Sequence, residues 1–452
     1  MNFFFRILWC TFFLFISGGV LYASEPASEP AAEELKDILE KHKLWVGKKA
    51  EGKRAGLSGV NLAGKDFTGL DLSGADFTEA DLNGADFSGA NLTDARFSHA
   101  NLSRANLTGA RFCIADLSHA SLRSAILEKA DFSGADLRKS DLSGANFSNV
   151  NLEGANLSGA DLSRAGLKDR SLSGMNISGA RFFDANLSGA DLSDANITES
   201  NLSRANLAGA NLAGADLSDA VLARANIQGA SLERAIMTRA SLAGADLSGS
   251  NLTRAQLRGA NLTGVTFHYS DLAGAQMREA DCEEADFTGA RFNHTVFAGA
   301  RLARATFAGM DLTGLDFSGA FLAGATLTYA KLNGAILTRA NLQGAFLGGA
   351  DLSGVNFVGV KLLEASLVEA DLSGSDLSGV DFSHANLSGA DLTGAVLSGA
   401  DLNQAVLADT NLKDADLSKA MMNKAVYLRT NLSGAKLDGV DLSDVDMSRV
   451  IQ

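Results

Sequence analysis

The residues able to do chemistry in this 452-residue chain are many, and they are spread too evenly to act together. Two carboxylates facing a cleft would serve acid–base catalysis, and a Ser or Cys beside a His would serve as a nucleophile. Here Asp or Asn recurs every five residues with Ser or Thr two places on, as in DFSGA at 131–135 and DLSGA at 141–145. His99, His119, His268, His294 and His384 are dispersed along the chain. There is no Cys-x-x-Cys pair, no His-Glu-x-x-His, no glycine-rich phosphate loop after a strand and no calcium-binding nonapeptide. The chain reads as a non-enzyme, with no catalytic residue, no cofactor, no metal ligand and no small-molecule substrate. The Asn-Leu-Ser and Asn-Leu-Thr triplets match a glycosylation acceptor pattern, but the repeat alone generates them.

The elements that position these residues follow from the period. From Ala55 to Arg449 a large apolar residue stands at every fifth position (Leu57, Leu62, Phe67, Leu72 and onward), with a small residue two places before it. Period five excludes an α-helix of period 3.6 and a strictly alternating strand. It suits a square coil in which each pentapeptide forms one side and about 20 residues make one turn. Ala205-Asn206-Leu207-Ala208-Gly209 and Ala390-Asp391-Leu392-Thr393-Gly394 carry the pattern Ala-(Asp/Asn)-Leu-X-X. In this the chain resembles the pentapeptide-repeat family over nearly nine tenths of its length. The resemblance implies an all-β fold, a right-handed quadrilateral β-helix. About 20 coils at about 4.8 Å each would make a rod near 95 Å long.

In chain order, residues 1–23 read as a secretory signal: one charge, Arg6, then an apolar stretch and Ala23 before a cut at Ser24. Retained, the segment would anchor the rod in the inner membrane. Residues 24–32 form a linker holding both prolines, and 33–54 a capping helix (Glu33–Val46) and connector. Leu35, Ile38, Leu39, Trp45 and Val46 give that helix its apolar stripe, with Gly47 as its stop. His42 is expected at the boundary of the stripe and not as a metal ligand. Residues 55–449 are the solenoid. Cys113 and Cys282 fall about eight coils apart, on the order of 40 Å, so no intrachain disulfide is expected.

The repeat requires Asp, Asn, Ser and Gly for turning, so departures from it are the places to look for function. Lys65 and Arg170 occupy inward corner slots that normally hold Ala. A buried guanidinium demands a local bulge or a carboxylate partner such as Asp169. Met175, Met310 and Leu315 are oversized for the same slot. Phe321, Ile336, Phe346, Val358, Leu363 and Val368 place apolar side chains outward within a short stretch and form the candidate contact patch. Residues twenty apart are expected to stack, giving ladders through Asn186, Asn206 and Asn226 and through Asn156, Asn176 and Asn196, and setting Asp184 beside Arg204.

The net charge of −14, all of it carried after residue 54, disfavours nucleic acid. A non-catalytic rod that binds proteins in the bacterial cell envelope, periplasmic or secreted, is the expectation. Its C-terminal coils would pair in a homodimer. Family resemblance also implies an alternative, an acidic mimic of DNA that occupies a type II topoisomerase such as gyrase.

Overall fold

The computed structural model describes residues 28–443 and 449–451; residues 1–23, expected as a secretory signal, lie outside them. Every β-bridge is parallel and joins residues twenty apart, from Gly56 with Asp76 to Asn431 with Ile451. Each bridge is a single residue wide, so the walls are ladders of short contacts and not extended strands. Four large apolar side chains per twenty-residue coil point to the axis, one from each side.

One pentapeptide shows why the coil closes. The Ala205 N–H donates to Leu202 O at 3.0 Å and makes the corner turn. Asn206 N–H reaches back one coil to Ala185 O (2.9 Å), Leu207 N–H reaches forward to Asn226 O (2.7 Å), and Gly209 N–H donates to Gln228 O (2.8 Å). The fifth donor, Ala208 N–H, has no backbone acceptor and is taken by the Asn206 Oδ1 at 3.2 Å. All five donors are thereby satisfied, as a buried backbone requires. The recurrent Asp and Asn are Asx-turn residues that supply the acceptor the ladder lacks.

The core is a set of stacks along the axis. Phe67 lies 4.8 Å from Phe87 and Phe77 lies 4.8 Å from Phe97, each pair nearly parallel, and Phe267, Phe287 and Phe307 continue the pattern further on. The corner accepts Ala, or Ser and Thr whose hydroxyls bond a nearby carbonyl, as Ser200 does to Ile177 O at 2.8 Å and Thr295 to Leu272 O at 2.7 Å. The slot that often holds Gly has a left-handed backbone whatever its residue: φ is +66° at Gly209, +60° at Arg204 and +59° at Asp219. Glycine eases that turn but is not required for it.

At some of the larger corner residues a bridge is missing, whereas Lys65, Leu70, Val265, Val360 and Val380 keep theirs. No bridge joins Asn151 to Ser171, where Val150 and Arg170 are the corners. None joins Asn156 to Asn176 beside Met175, or Arg291 to Asp311 beside Met310. Leu315, though large, is buried and keeps the Val296–Asp316 bridge. The missing bridge between Ile126 and Asn146 has Ala at both corners, and nothing in the corner explains it. Arg170 does not pair with Asp169. Its side chain turns outward, half-buried, and Nε donates to Lys168 O at 3.3 Å. Lys65 likewise escapes the core, with Nζ 2.6 Å from Glu29 in the linker.

The N-terminal helix, α1, runs over Ala32–Val46, one residue longer than the expected span. Leu35, Ile38 and Leu39 pack against the core cluster. Gly47 ends the helix without a left-handed backbone (φ −74°), and Lys48 at φ +54° takes that role. Gly52 crosses the helix so closely that a Cβ there would lie 2.2 Å from the Trp45 nitrogen. His42 is not a boundary residue but fully buried, stacked on Trp45 with ring centroids 5.4 Å apart. The helix places it there because its Nδ1 accepts the Ala55 N–H at 3.0 Å, tying α1 to the first coil.

Burial pushes the His42 pKa below its ordinary 6.5. A depressed folded-state pKa contributes stability that is present above the unfolded value and is lost as pH falls. Protonation of Nδ1 also removes the acceptor for Ala55. Urea midpoints should therefore drop between pH 7.5 and pH 5.5, and a His42→Gln variant should lose most of that difference. An unchanged difference in the variant would assign the pH dependence elsewhere.

Candidate functional site

The outer surface is built from two kinds of position. The sides carry the residues flanking each inward side chain, and the four edges carry the left-handed slots. On the sides the polar groups are largely engaged in their own turns. Asp191 Oδ1 accepts the Ser193 N–H at 3.1 Å, the Ser193 hydroxyl at 2.7 Å and Asn211 Nδ2 at 2.9 Å. The Ser193 hydroxyl above all holds its carboxyl below the usual value, against an opposing effect of burial. Asn226 and Asn206 donate along the axis to Asn206 and Asn186 at 3.3 and 3.5 Å, so this ladder forms as expected. In the column of Asn156, Asn176 and Asn196, each Oδ1 accepts its own turn N–H from Ser158, Ser178 or Thr198.

On the edges, opposite charges meet at a few places one coil apart. Arg204 sits 2.8 Å from Asp184, with its guanidinium 5.3 Å from the Phe183 ring centroid. Arg239 forks onto Asp219 at 2.8 and 2.6 Å, and Arg304 binds Glu283 and Glu284. Hydrogen bonding by Arg239 holds the Asp219 carboxyl low, and Asp219 raises Arg239 in turn. Among the described residues no cluster of His, Cys, Asp and Glu could hold a metal. Cys113 and Cys282 are free thiols, and burial pushes Cys282 far up and out of reactive range.

The six outward apolar residues do not share one side. The twenty-residue register puts Phe321 and Leu363 on one side, Phe346 and Val368 on the next, and Ile336 and Val358 on the side before. They wrap three consecutive sides of the rod as three pairs. Phe321, Ile336, Phe346 and Val358 are exposed, whereas Leu363 and Val368 are half-buried. Phe321, Ile336 and Phe346 replace Asp or Asn, so they forgo the Asx acceptor that the coil otherwise uses. Val358 borders a hollow of about 420 Å³ at the missing bridge between Asn356 and Asp376.

Sequence reasoning missed two exposed tyrosines. Tyr269 and Tyr329 occupy left-handed slots (φ +56° at both), an uncommon conformation for a bulky residue. They stand on the same edge, three coils apart, and both rings are largely exposed. The signal was available as two tyrosines in a slot held mostly by Gly and charged residues. Met421, Val426 and Leu428 are likewise exposed, near the C-terminal end of the described coils.

The pentapeptide-repeat family model matches the chain in successive segments from residues 55–94 through 410–449. No curated protein matches it. Among solved structures, HetL from the cyanobacterium Nostoc sp. strain PCC 7120, a pentapeptide repeat protein involved in heterocyst differentiation regulation, is 26% identical. That match covers 63% of this chain and 90% of HetL, with a TM-score of 0.24. QnrB1, a plasmid-mediated fluoroquinolone resistance protein, is 22% identical over 44% of this chain and 86% of its own, with a TM-score of 0.24. A pentapeptide repeat protein of the Arabidopsis thaliana thylakoid lumen is 36% identical over 25% of this chain and 69% of its own, with a TM-score of 0.14.

The two kinds of carboxylate should differ in weight. Asp191→Ala removes three hydrogen bonds inside the wall, each worth about 1 kcal/mol net, and should lower the denaturant midpoint measurably. Asp219→Ala removes an exposed edge pair and should leave the midpoint unchanged within error. Equal losses in the two variants would contradict the division between turn residues and edge residues.

Proposed function

From the premise that the chain belongs to the pentapeptide-repeat family, we propose that it is a non-catalytic protein-binding rod of the bacterial cell envelope. The family fold is a right-handed quadrilateral β-helix, and the continuous register is consistent with about 20 coils. In this reading α1 covers the N-terminal end of the core, where its apolar side chains meet the first coils.

One observation carries the scaffold reading. The groups that could do chemistry, the Asp, Asn, Ser and Thr of the sides, are engaged in closing the coil. What remains for recognition is shape, edges and the few outward apolar residues. The three apolar pairs around residues 321–368 are offered as the contact region for a protein partner. Met421, Val426 and Leu428 support a homodimer through the C-terminal coils. Nucleic acid is not among the partners of this reading, because the net charge is −14.

The envelope location rests on residues 1–23, with their single charge and apolar stretch. A periplasmic or secreted rod follows if they are removed, and an inner-membrane tether if they are retained. Among the described residues no helix is long and apolar enough to cross a membrane. An acidic DNA mimic acting on gyrase is less favoured, since Arg204, Arg239, Arg304 and Arg429 on the edges and Arg291 on a side pair with neighbouring acids and break up any continuous negative stripe.

Cell fractionation with N-terminal sequencing tests the reading. The expected result is a mature chain beginning at Ser24 in the periplasm or medium. An intact chain in the cytoplasm would overturn the envelope assignment and restore the mimic.

A further inference from the structure

Tyr269 and Tyr329 are difficult to explain as parts of the coil. Each has a left-handed backbone, which carries strain for a residue with a large Cβ substituent. Each is flanked on its edge by glycine one coil before and one coil after: Gly249 and Gly289 for Tyr269, Gly309 and Gly349 for Tyr329. The following glycine lets the ring lie close, because a Cβ on Gly289 or Gly349 would come 2.5 Å from the ring and displace it. The ring thus lies against bare backbone on that side. Its other side faces the coil before, where the preceding glycine leaves the edge open.

At Tyr269 this opening is a hollow of about 270 Å³ lined by Gly249, Ser250, Asn251, Thr253, Asp271 and Arg291. Apart from the tyrosine ring, no apolar side chain lines it. Arg291 Nη2 donates to Asp271 at 2.9 Å, so the charges there are balanced. The His268 ring stands edge-on to Tyr269 with centroids 6.5 Å apart, and its Nε2 is 2.8 Å from Asp286 Oδ2. The tyrosine is therefore supported from below and from one side, with polar groups around its free face.

Part of this pattern recurs in the sequence three coils on, with Met310 and Asp311 where Ser250 and Asn251 stand. The positions equivalent to Gly249, Thr253, Tyr269, Asp271 and Arg291 are Gly309, Thr313, Tyr329, Lys331 and Asp351. Glycine, threonine and tyrosine repeat, and the acid and the base exchange places. A core constraint cannot be the cause, since all these side chains face outward. At about 4.8 Å per coil the two rings are about 14 Å apart along one edge.

We propose that this edge binds a neutral oligosaccharide, with Tyr269 and Tyr329 as two stacking platforms. A flat aromatic face with polar groups around its rim suits a pyranose ring: the C–H face of the sugar lies on the aromatic ring, and the equatorial hydroxyls meet what the turns leave over. Asn251 Oδ1 already accepts the Thr253 N–H and hydroxyl, and Asp271 accepts from Ala273 N–H and Arg291. That leaves the Asn251 amide N–H, the Thr253 oxygen and the rest of the Arg291 guanidinium for the sugar. The balanced charge disfavours phosphate or another anion. The lack of apolar lining disfavours a hydrophobic peptide anchor. Two platforms on one rigid wall favour a chain long enough to reach both, because the second contact is then intramolecular. The site binds and does not turn over its ligand. It goes beyond the scaffold reading and stands or falls independently of the cellular location.

Titration calorimetry on the full chain, with chitobiose, chitohexaose and cellohexaose as probes, tests it. At least one of the two hexasaccharides should bind, and chitobiose should bind at least tenfold more weakly than chitohexaose where chitohexaose is the one that binds. Tyr269→Ala and Tyr329→Ala should each weaken the bound hexasaccharide at least tenfold, and the double variant should abolish binding. Since both rings are exposed, the thermal midpoints of the variants should match the parent and so separate a lost contact from a lost fold. No binding of either hexasaccharide at millimolar concentration, or binding unaffected by both substitutions, would overturn the proposal. So would a proline-rich peptide that binds the same edge in a tyrosine-dependent way while both hexasaccharides do not.

Discussion

The structure depends on one backbone hydrogen bond repeated at each side: the N–H that follows a corner residue reaches the corner carbonyl one coil back. Asn206 to Ala185 is one instance, and Asp246 to Ala225 and Asp391 to Ala370 are others. A small corner side chain lets successive coils meet at their ladder spacing, and larger corners keep the bond to one neighbouring coil, as Asp191 does to Arg170 O and Lys331 to Met310 O. Alanine is small enough, and serine and threonine are too when the hydroxyl can bond a carbonyl already at hand. Where Arg170 and Val150, Met175 or Met310 occupy the corner, the adjacent bridge is absent. The corner thus bears on the continuity of the wall, whereas the large inward residues decide its thermodynamic weight. Fully burying one of those is worth about 1.5–3 kcal/mol, less than ordering its pentapeptide costs, so the coils are stable only together.

A second constraint follows from the same ladder. It satisfies four of the five backbone donors in a pentapeptide and leaves the one after the inward residue without a backbone acceptor. Asp or Asn two positions earlier supplies an oxygen to it. This accounts for the acidic character of the rod without any appeal to an acidic partner. It also changes how an outward phenylalanine is read. Phe321 and Phe346 stand where the coil would profit from an Asx acceptor, so their presence needs a cause outside the coil, whereas Val358 and Leu363 stand where almost any side chain fits.

Period and register were legible in the sequence because an inward slot and a corner slot tolerate few residue types. Leu57 or Ala205 can be placed from spacing alone, and so could the contact between Asp184 and Arg204. Three things were not legible. His42 looked like a boundary residue because its single hydrogen bond, to Ala55 N–H, depends on how the helix meets the first coil, which no periodicity encodes. Arg170 was expected to find Asp169, but a long side chain at a corner can bend out to solvent and leave the wall open instead. The apolar residues at 321–368 are close in sequence, yet a four-sided coil carries neighbouring pentapeptides to different sides. Proximity along a solenoid is measured in twenties, and by that measure they form three pairs.

The edges carry the least constraint and therefore the most information. A left-handed φ occurs at this slot for Gly, Arg, Asp, Glu, His, Lys and Tyr alike, and the N–H at that slot usually keeps its bond to the next coil. Non-glycine residues there bear a conformational cost that the ladder offsets. A residue that accepts this cost and buries nothing is not selected by folding. The charged residues at the slot have an explanation in edge pairs such as Arg239 with Asp219 and Arg429 with Asp409. Tyr269 and Tyr329 have no such pair, lie against a glycine of the following coil, and repeat together with a threonine at the interval of three coils. Their recurrence in register is a property of the surface and not of the core, and that is where a rod with a uniform interior can differ from another of its kind.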